Sequence, residues 1–184
     1  MSKKVYIFLA DGFEDIEGLT VVDLLRRAEI EIHTVSIKNT KEVQTAHGIS
    51  LLTDKVFGEV DFSDADMLVL PGGMPGTLHL GDCEGLKGFL MKAAEENGRI
   101  AAICAAPTVL GKLGLLNGRK AICYPGMEDG LTGAEVTVEP VVTDGNITTS
   151  RGLGTAIPFA LRLIEELSGK ETADRIAESV VYQA

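Results

Sequence analysis

The chain of 184 residues has no tryptophan, three tyrosines and six phenylalanines, and only three cysteines, at positions 83, 104 and 123. Three cysteines without paired spacing make neither a disulfide framework nor a cysteine-based zinc site. They imply a reducing, cytoplasmic setting. Basic runs are also missing: 17 Lys and Arg stand against 27 Asp and Glu, a formal net charge of −10. A chain so acidic is a poor partner for nucleic acid or for an anionic membrane. No apolar run approaches the roughly 20 residues of a membrane span. The opening run, Val5 to Ala10, follows Lys3-Lys4 and stops at Asp11. It is too short for a signal peptide and is expected to be a first buried strand.

Glycine is what the chain has in excess: 21 of 184, about 11% against a usual ~7%. With 45% hydrophobic and 24% charged residues, the composition is that of a folded protein, and its length predicts one domain over 1–184. A domain of this size buries roughly 70% of its unfolded surface, enough for a core without metals or disulfides. Strand-like and helix-like segments alternate. Strands are expected at 4–10, 31–37, 67–70, 99–103 and 120–123, with one or two short ones between Lys41 and Thr53. Helices are expected at 14–28, 84–97, 107–116, 155–167 and 173–179, and a hairpin at 135–149 turning at Asp144-Gly145. This order predicts an α/β fold, a mostly parallel sheet with helices on both faces.

In such a sheet, sites form beyond the carboxyl ends of the strands. Three ends stand out: Ala10-Asp11-Gly12, Pro71-Gly72-Gly73 and Ile103-Cys104-Ala105-Ala106-Pro107. Cys104 lies where a buried strand turns into a helix among small residues, the geometry of a nucleophile elbow. A helix N-terminus there is expected to lower its pKa; the alternative is a small core cysteine. Cys83 and Cys123 read as bystanders. Gly72 and Gly73 lack a Cβ and let other groups approach the main chain, and their amides, with that of Ala105, suit an oxyanion. Glu14, Asp15 and Glu17 open the first helix, where acids are favoured anyway. Glu17 differs because helical spacing sets it in an apolar row with Val21, Leu24 and Ala28, where desolvation raises a carboxyl pKa. Arg151, in Ser150-Arg151-Gly152-Leu153-Gly154-Thr155, borders the expected crevice, but the loop lacks the lysine of a phosphate loop. His33, His47 and His79 have no metal-ligand spacing and are expected to be structural or surface residues.

The segments Leu9-Ala10-Asp11-Gly12-Phe13-Glu14-Asp15-Ile16-Glu17, Val69-Leu70-Pro71-Gly72-Gly73, Ala101-Ala102-Ile103-Cys104-Ala105-Ala106-Pro107 and Thr149 to Thr155 together resemble the ThiJ/PfpI superfamily, in its Parkinsonism-associated DJ-one branch. The resemblance spans nearly the whole chain. It implies a flavodoxin-like three-layer sandwich, usually a homodimer, with Cys104 as reactive cysteine and Glu17 as its carboxyl partner. Gly72, Gly73 and Ala105 carry over as amide donors. It also implies a cofactor-independent glyoxalase or deglycase acting on α-oxoaldehydes such as methylglyoxal, or on their early adducts, without a metal. The alternative is a non-enzymatic redox sensor or chaperone working through oxidation of Cys104. Two departures count against a protease: Ala105 stands where protease-like relatives have histidine, and Tyr124 stands where related proteins often place one.

Overall fold

The computed structural model describes residues 3–183. In chain order its elements are β1 (Lys4–Leu9), α1 (Asp15–Arg27), β2 (Glu31–Ser36), β3 (Glu42–Gln44), β4 (Ser50–Leu52), β5 (Lys55–Val56), β6 (Met67–Leu70), α2 (Gly76–Asp82) and α3 (Glu84–Glu95). There follow β7 (Arg99–Ile103), α4 (Pro107–Lys112), β8 (Lys120–Ala121), β9 (Glu135–Val136), β10 (Val141–Asp144), β11 (Ile147–Ser150), α5 (Ala156–Ser168) and α6 (Lys170–Ser179). The main sheet runs β10-β11-β7-β6-β1-β2-β5. All its pairings are parallel except the β10–β11 hairpin.

Strand periodicity of two divides the apolar side chains between two cores. Val5, Ile7 and Leu9 of β1 join Val69, Ala101 and Ile103 in packing against α1, α5 and α6, through residues such as Leu25, Phe159, Leu163 and Ile176. Tyr6 and Phe8 join Leu68, Leu70, Ile100 and Ala102 in packing against α3 and α4, through Leu86, Leu90, Val109 and Leu110. Strands buried on both faces explain why β1, β6 and β7 read as continuous apolar runs. Among the described residues, no helix is long and apolar enough to cross a membrane.

Most expected elements form within a few residues of their expected ends, and the differences have local causes. Helix α2 was hidden between turn signals, because Pro75-Gly76 starts it rather than closing a loop, with Pro75 as its N-cap. The strand expected at 120–123 stops at Ala121, and Ile122 instead donates its N–H to the Thr149 hydroxyl at 3.0 Å. Of the 135–149 hairpin, only Val141–Ser150 is antiparallel; Glu135–Val136 pairs in parallel with β8. The helix begun at Pro107 ends at Lys112, short of 116, and the last helix starts at Lys170 rather than 173.

Candidate active site

Strands β1, β6 and β7 are neighbours, so the three unusual strand ends share one edge of the sheet. The chain order reverses between β1 and β6, the place where open α/β sheets leave a crevice. Cys104 follows β7 there with φ 65°, in the left-handed region that non-glycine residues rarely adopt. Such a conformation costs about 1–3 kcal/mol and persists only where neighbours hold it. Two backbone bonds do so: Cys104 N–H donates to Ser150 O at 2.9 Å, and Tyr124 N–H donates to Cys104 O at 2.7 Å. Ala101, Ala102, Ala105 and Ala106 are all buried around the bend.

Helix α1 begins directly beyond the end of β1 and buries its row Glu17, Val21, Leu24 and Ala28. Glu17 is only 1% exposed. Its Oε2 accepts the Gly72 N–H at 3.0 Å, while Oε1 is buried without a hydrogen-bond partner. Burial pushes the carboxyl up to about 7; its interactions with Cys104 and the Gly72 amide pull the other way, and the Glu14 charge adds to the rise. The Cys104 thiol is pushed up to about 12, first by burial and then by the charge and hydrogen bonding of Glu17, against the opposing amides of Gly73 and Ala105. This reverses the expectation of a thiol depressed by a helix end. Helix α4 starts three residues later, and burial beside a carboxylate outweighs it. Burial disfavours the charged form of both groups, and the charge of Glu17 raises the thiol further.

Gly72 is where both groups meet. A Cβ on it would stand 2.5 Å from Cys104 Cβ and 2.6 Å from Glu17 Oε2. Its amide is engaged by Glu17, and the amides that draw the thiol pKa down are those of Gly73 and Ala105. Gly73 has φ 93° and lies against the start of α1, where Glu14 N–H donates to Gly72 O at 2.9 Å. Arg151 is exposed on a shallow cavity of about 240 Å³ that it shares with Tyr124, Pro125 and Gly152. The hydroxyls of Ser150 and Thr155 bond each other at 2.7 Å, so that loop is closed on itself. Gly152, in the same loop, brings its backbone beside both the Tyr124 ring and Glu17 Oε1.

All three histidines are engaged away from Cys104: His33 with Glu31, His47 with Asp15, and His79 with the Asp11 carbonyl. No Cys–His dyad is formed. Cys83 is half-buried between α2 and α3. Cys123 is buried and donates to Tyr124 O at 3.4 Å; burial, and then the Glu128 charge, pushes it up to about 11.

The arrangement can be compared with known proteins. The chain is 39% identical over 184 residues to "Protein dj-1beta" of Drosophila melanogaster, covering 98% of each chain. It is 31% identical over 165 residues to the "Glutathione-independent glyoxalase DJR-1.2" of Caenorhabditis elegans, covering 89% of this chain and 87% of that one. Its fold superposes on a structure described as "Toxoplasma gondii DJ-1, oxidized" with a TM-score of 0.95 at 36% identity, covering all of both chains. The family model described as "DJ-1/PfpI family" matches residues 3–166. With the sheet order, the cysteine elbow and these similarities in agreement, the chain belongs to the DJ-1/PfpI family.

Proposed function

We propose that the protein is a cofactor-independent glyoxalase that converts small α-oxoaldehydes such as methylglyoxal to 2-hydroxy acids, and acts in the same way on their early adducts. The observation that carries this reading is the placement of Cys104, at a bend with φ 65°, and the buried Glu17 carboxyl on the same side of Gly72, where a Cβ would stand 2.5 Å from Cys104 Cβ and 2.6 Å from Glu17 Oε2. The glyoxalase relative in Caenorhabditis elegans supports the substrate class.

In this reading Glu17 takes the thiol proton as the Cys104 sulfur attacks the aldehyde carbon. The proton passes to the carbonyl oxygen, giving a hemithioacetal. Glu17 then removes the hydrogen on that carbon and returns it to the neighbouring carbon through an enediol, leaving a thioester. Water cleaves the thioester to the hydroxy acid and restores the thiol. Overall, one oxoaldehyde and one water give one hydroxy acid, with no external oxidant. In this reading the Gly73 and Ala105 amides stabilise the charge that develops on the substrate oxygen; such donors contribute about 3–4 kcal/mol each in acyl-transfer enzymes.

Lactate formed from methylglyoxal, followed in wild type and Cys104→Ala, tests the nucleophile. The variant is expected to fall by about a thousandfold or more. Retention of the wild-type rate would remove Cys104 from the mechanism.

The homodimer belongs to the same reading. Ile16 and Leu19 of α1, Ile157 of α5 and Val181 are large apolar side chains left exposed, and Leu19, Ile157 and Val181 line one cavity of about 570 Å³. Light scattering is expected to return twice the chain mass; a monomer mass across the micromolar range would refute it.

A further inference from the structure

A second cluster lies at the start of α1, outside the Cys104–Glu17 pair. Glu14 and Asp15 come from consecutive positions there, and His47 comes from the tip of the β3–β4 hairpin. We propose that Glu14, Asp15 and His47 form a binding site for a divalent transition cation such as zinc.

One donor atom from each of the three side chains lies within 4.8 Å of the others. His47 Nδ1 is 2.7 Å from Asp15 Oδ2 and 3.9 Å from Glu14 Oε1. Zinc–oxygen and zinc–nitrogen bonds of about 2.0–2.2 Å place tetrahedral donors about 3.3–3.5 Å apart. The short separation must open by about 0.6–0.8 Å and the long one close by about 0.4–0.6 Å. A small rotation of His47, whose side chain is 67% exposed, supplies both.

A second observation points to a ligand. Asp15 is 7% exposed, and its Oδ1 is buried without a hydrogen-bond partner. The Thr45 hydroxyl lies close enough to favour the ionised carboxyl, but accepts the Ile49 N–H and does not meet Oδ1 at hydrogen-bond geometry. A buried carboxylate oxygen left this way costs free energy, which the charge of a cation held by the same carboxylate would offset.

The hairpin that carries His47 is also fixed in place. Gly12 N–H donates to Gln44 O at 2.8 Å, and Ala46 N–H donates to Phe13 O at 2.8 Å. These bonds flank the cluster and hold the imidazole over the carboxylates before any ion arrives, which is what a precise site requires. The donor set also sets selectivity. One imidazole with two carboxylates favours zinc, cobalt or nickel, whereas magnesium and calcium take oxygen alone, and the absence of thiolate disfavours copper(I).

The test is titration calorimetry with zinc chloride on the full-length chain carrying Cys104→Ala, which removes the thiol of the candidate active site. One equivalent of zinc is expected to bind. Adding His47→Ala or Asp15→Asn to the same chain is expected to weaken the dissociation constant at least tenfold. His47 is exposed, so its replacement leaves the fold intact and decides the matter even if Asp15→Asn proves unstable. Absence of saturable binding in the Cys104→Ala chain, or an unchanged dissociation constant after His47→Ala, would overturn the site. The readout is binding alone, so failure of the glyoxalase reading leaves it untouched.

Discussion

Replacing Glu17 by glutamine is expected to slow turnover by about 10²–10⁴-fold, the range for loss of a general acid–base, and yet to stabilise the fold at pH 8. The two effects share a cause. Burial raises the carboxyl from 4.5 to about 7 in the folded protein. In the unfolded chain the proton leaves near 4.5; in the folded chain it stays until about 7. The folded state therefore holds more protons across that window, and stability falls as pH rises through it. Full stability is present below 4.5 and the loss is complete above about 7. A rise of this size corresponds to about 3 kcal/mol, with little discount for solvent because the side chain is 1% exposed. Glutamine carries no charge to bury, and its carbonyl still accepts the Gly72 amide. Urea unfolding at pH 5 and pH 8 is the measurement. The stability difference between variant and wild type should shift by about 2–3 kcal/mol in favour of the variant between the two. An unchanged difference would mean that Glu17 ionises freely in the fold.

Gly73→Ala is expected to destabilise the protein by about 3 kcal/mol and to reduce turnover more than tenfold. Part of the cost is conformational, since φ is 93° and a Cβ in left-handed backbone costs about 1–2 kcal/mol. The rest is steric. The new Cβ would stand 2.2 Å from Glu14 N, 2.6 Å from Phe13 C and 2.7 Å from Gly12 O, all backbone atoms unable to swing aside. Overpacking of this sort costs about 1–3 kcal/mol. Relief requires α1 to move away from the end of β6, carrying Glu17 from Gly72 and the Gly73 amide from the sulfur. Gly48→Ala is the control: φ is 79° and nothing lies within 4 Å of its Cβ, so only the conformational part remains. The midpoint of urea unfolding should fall clearly further for Gly73→Ala. Equal midpoints would show that the seam between α1 and β6 is looser than its contacts imply.

These two variants mark where local sequence stops being informative. The continuous apolar run from Val5 to Leu9 marks a strand buried on both faces, and the row Glu17, Val21, Leu24 and Ala28 follows helical periodicity, so both were legible in the chain alone. So was the elbow, because a sharp strand-to-helix bend needs small neighbours, and Ala101, Ala102, Ala105 and Ala106 stand beside Cys104. Helix α2 was not legible, because Pro and Gly mark a turn and a helix start alike. The direction of the Cys104 shift was not legible, because a local helix end says nothing of the buried carboxyl beside the thiol. Desolvation depends on everything packed around a group, and residues 17, 72 and 104 meet only through the β1-β6-β7 order of the sheet. The same holds for His47 and Asp15, 32 residues apart in the chain and 2.7 Å apart in space. Residue spacing by itself determined most of the secondary elements and named the candidate nucleophile and its candidate acid. Tertiary structure alone decided which acid is buried beside the cysteine, which amide is already engaged, and which imidazole faces which carboxylate, because those depend on distance and burial between segments that no local period connects.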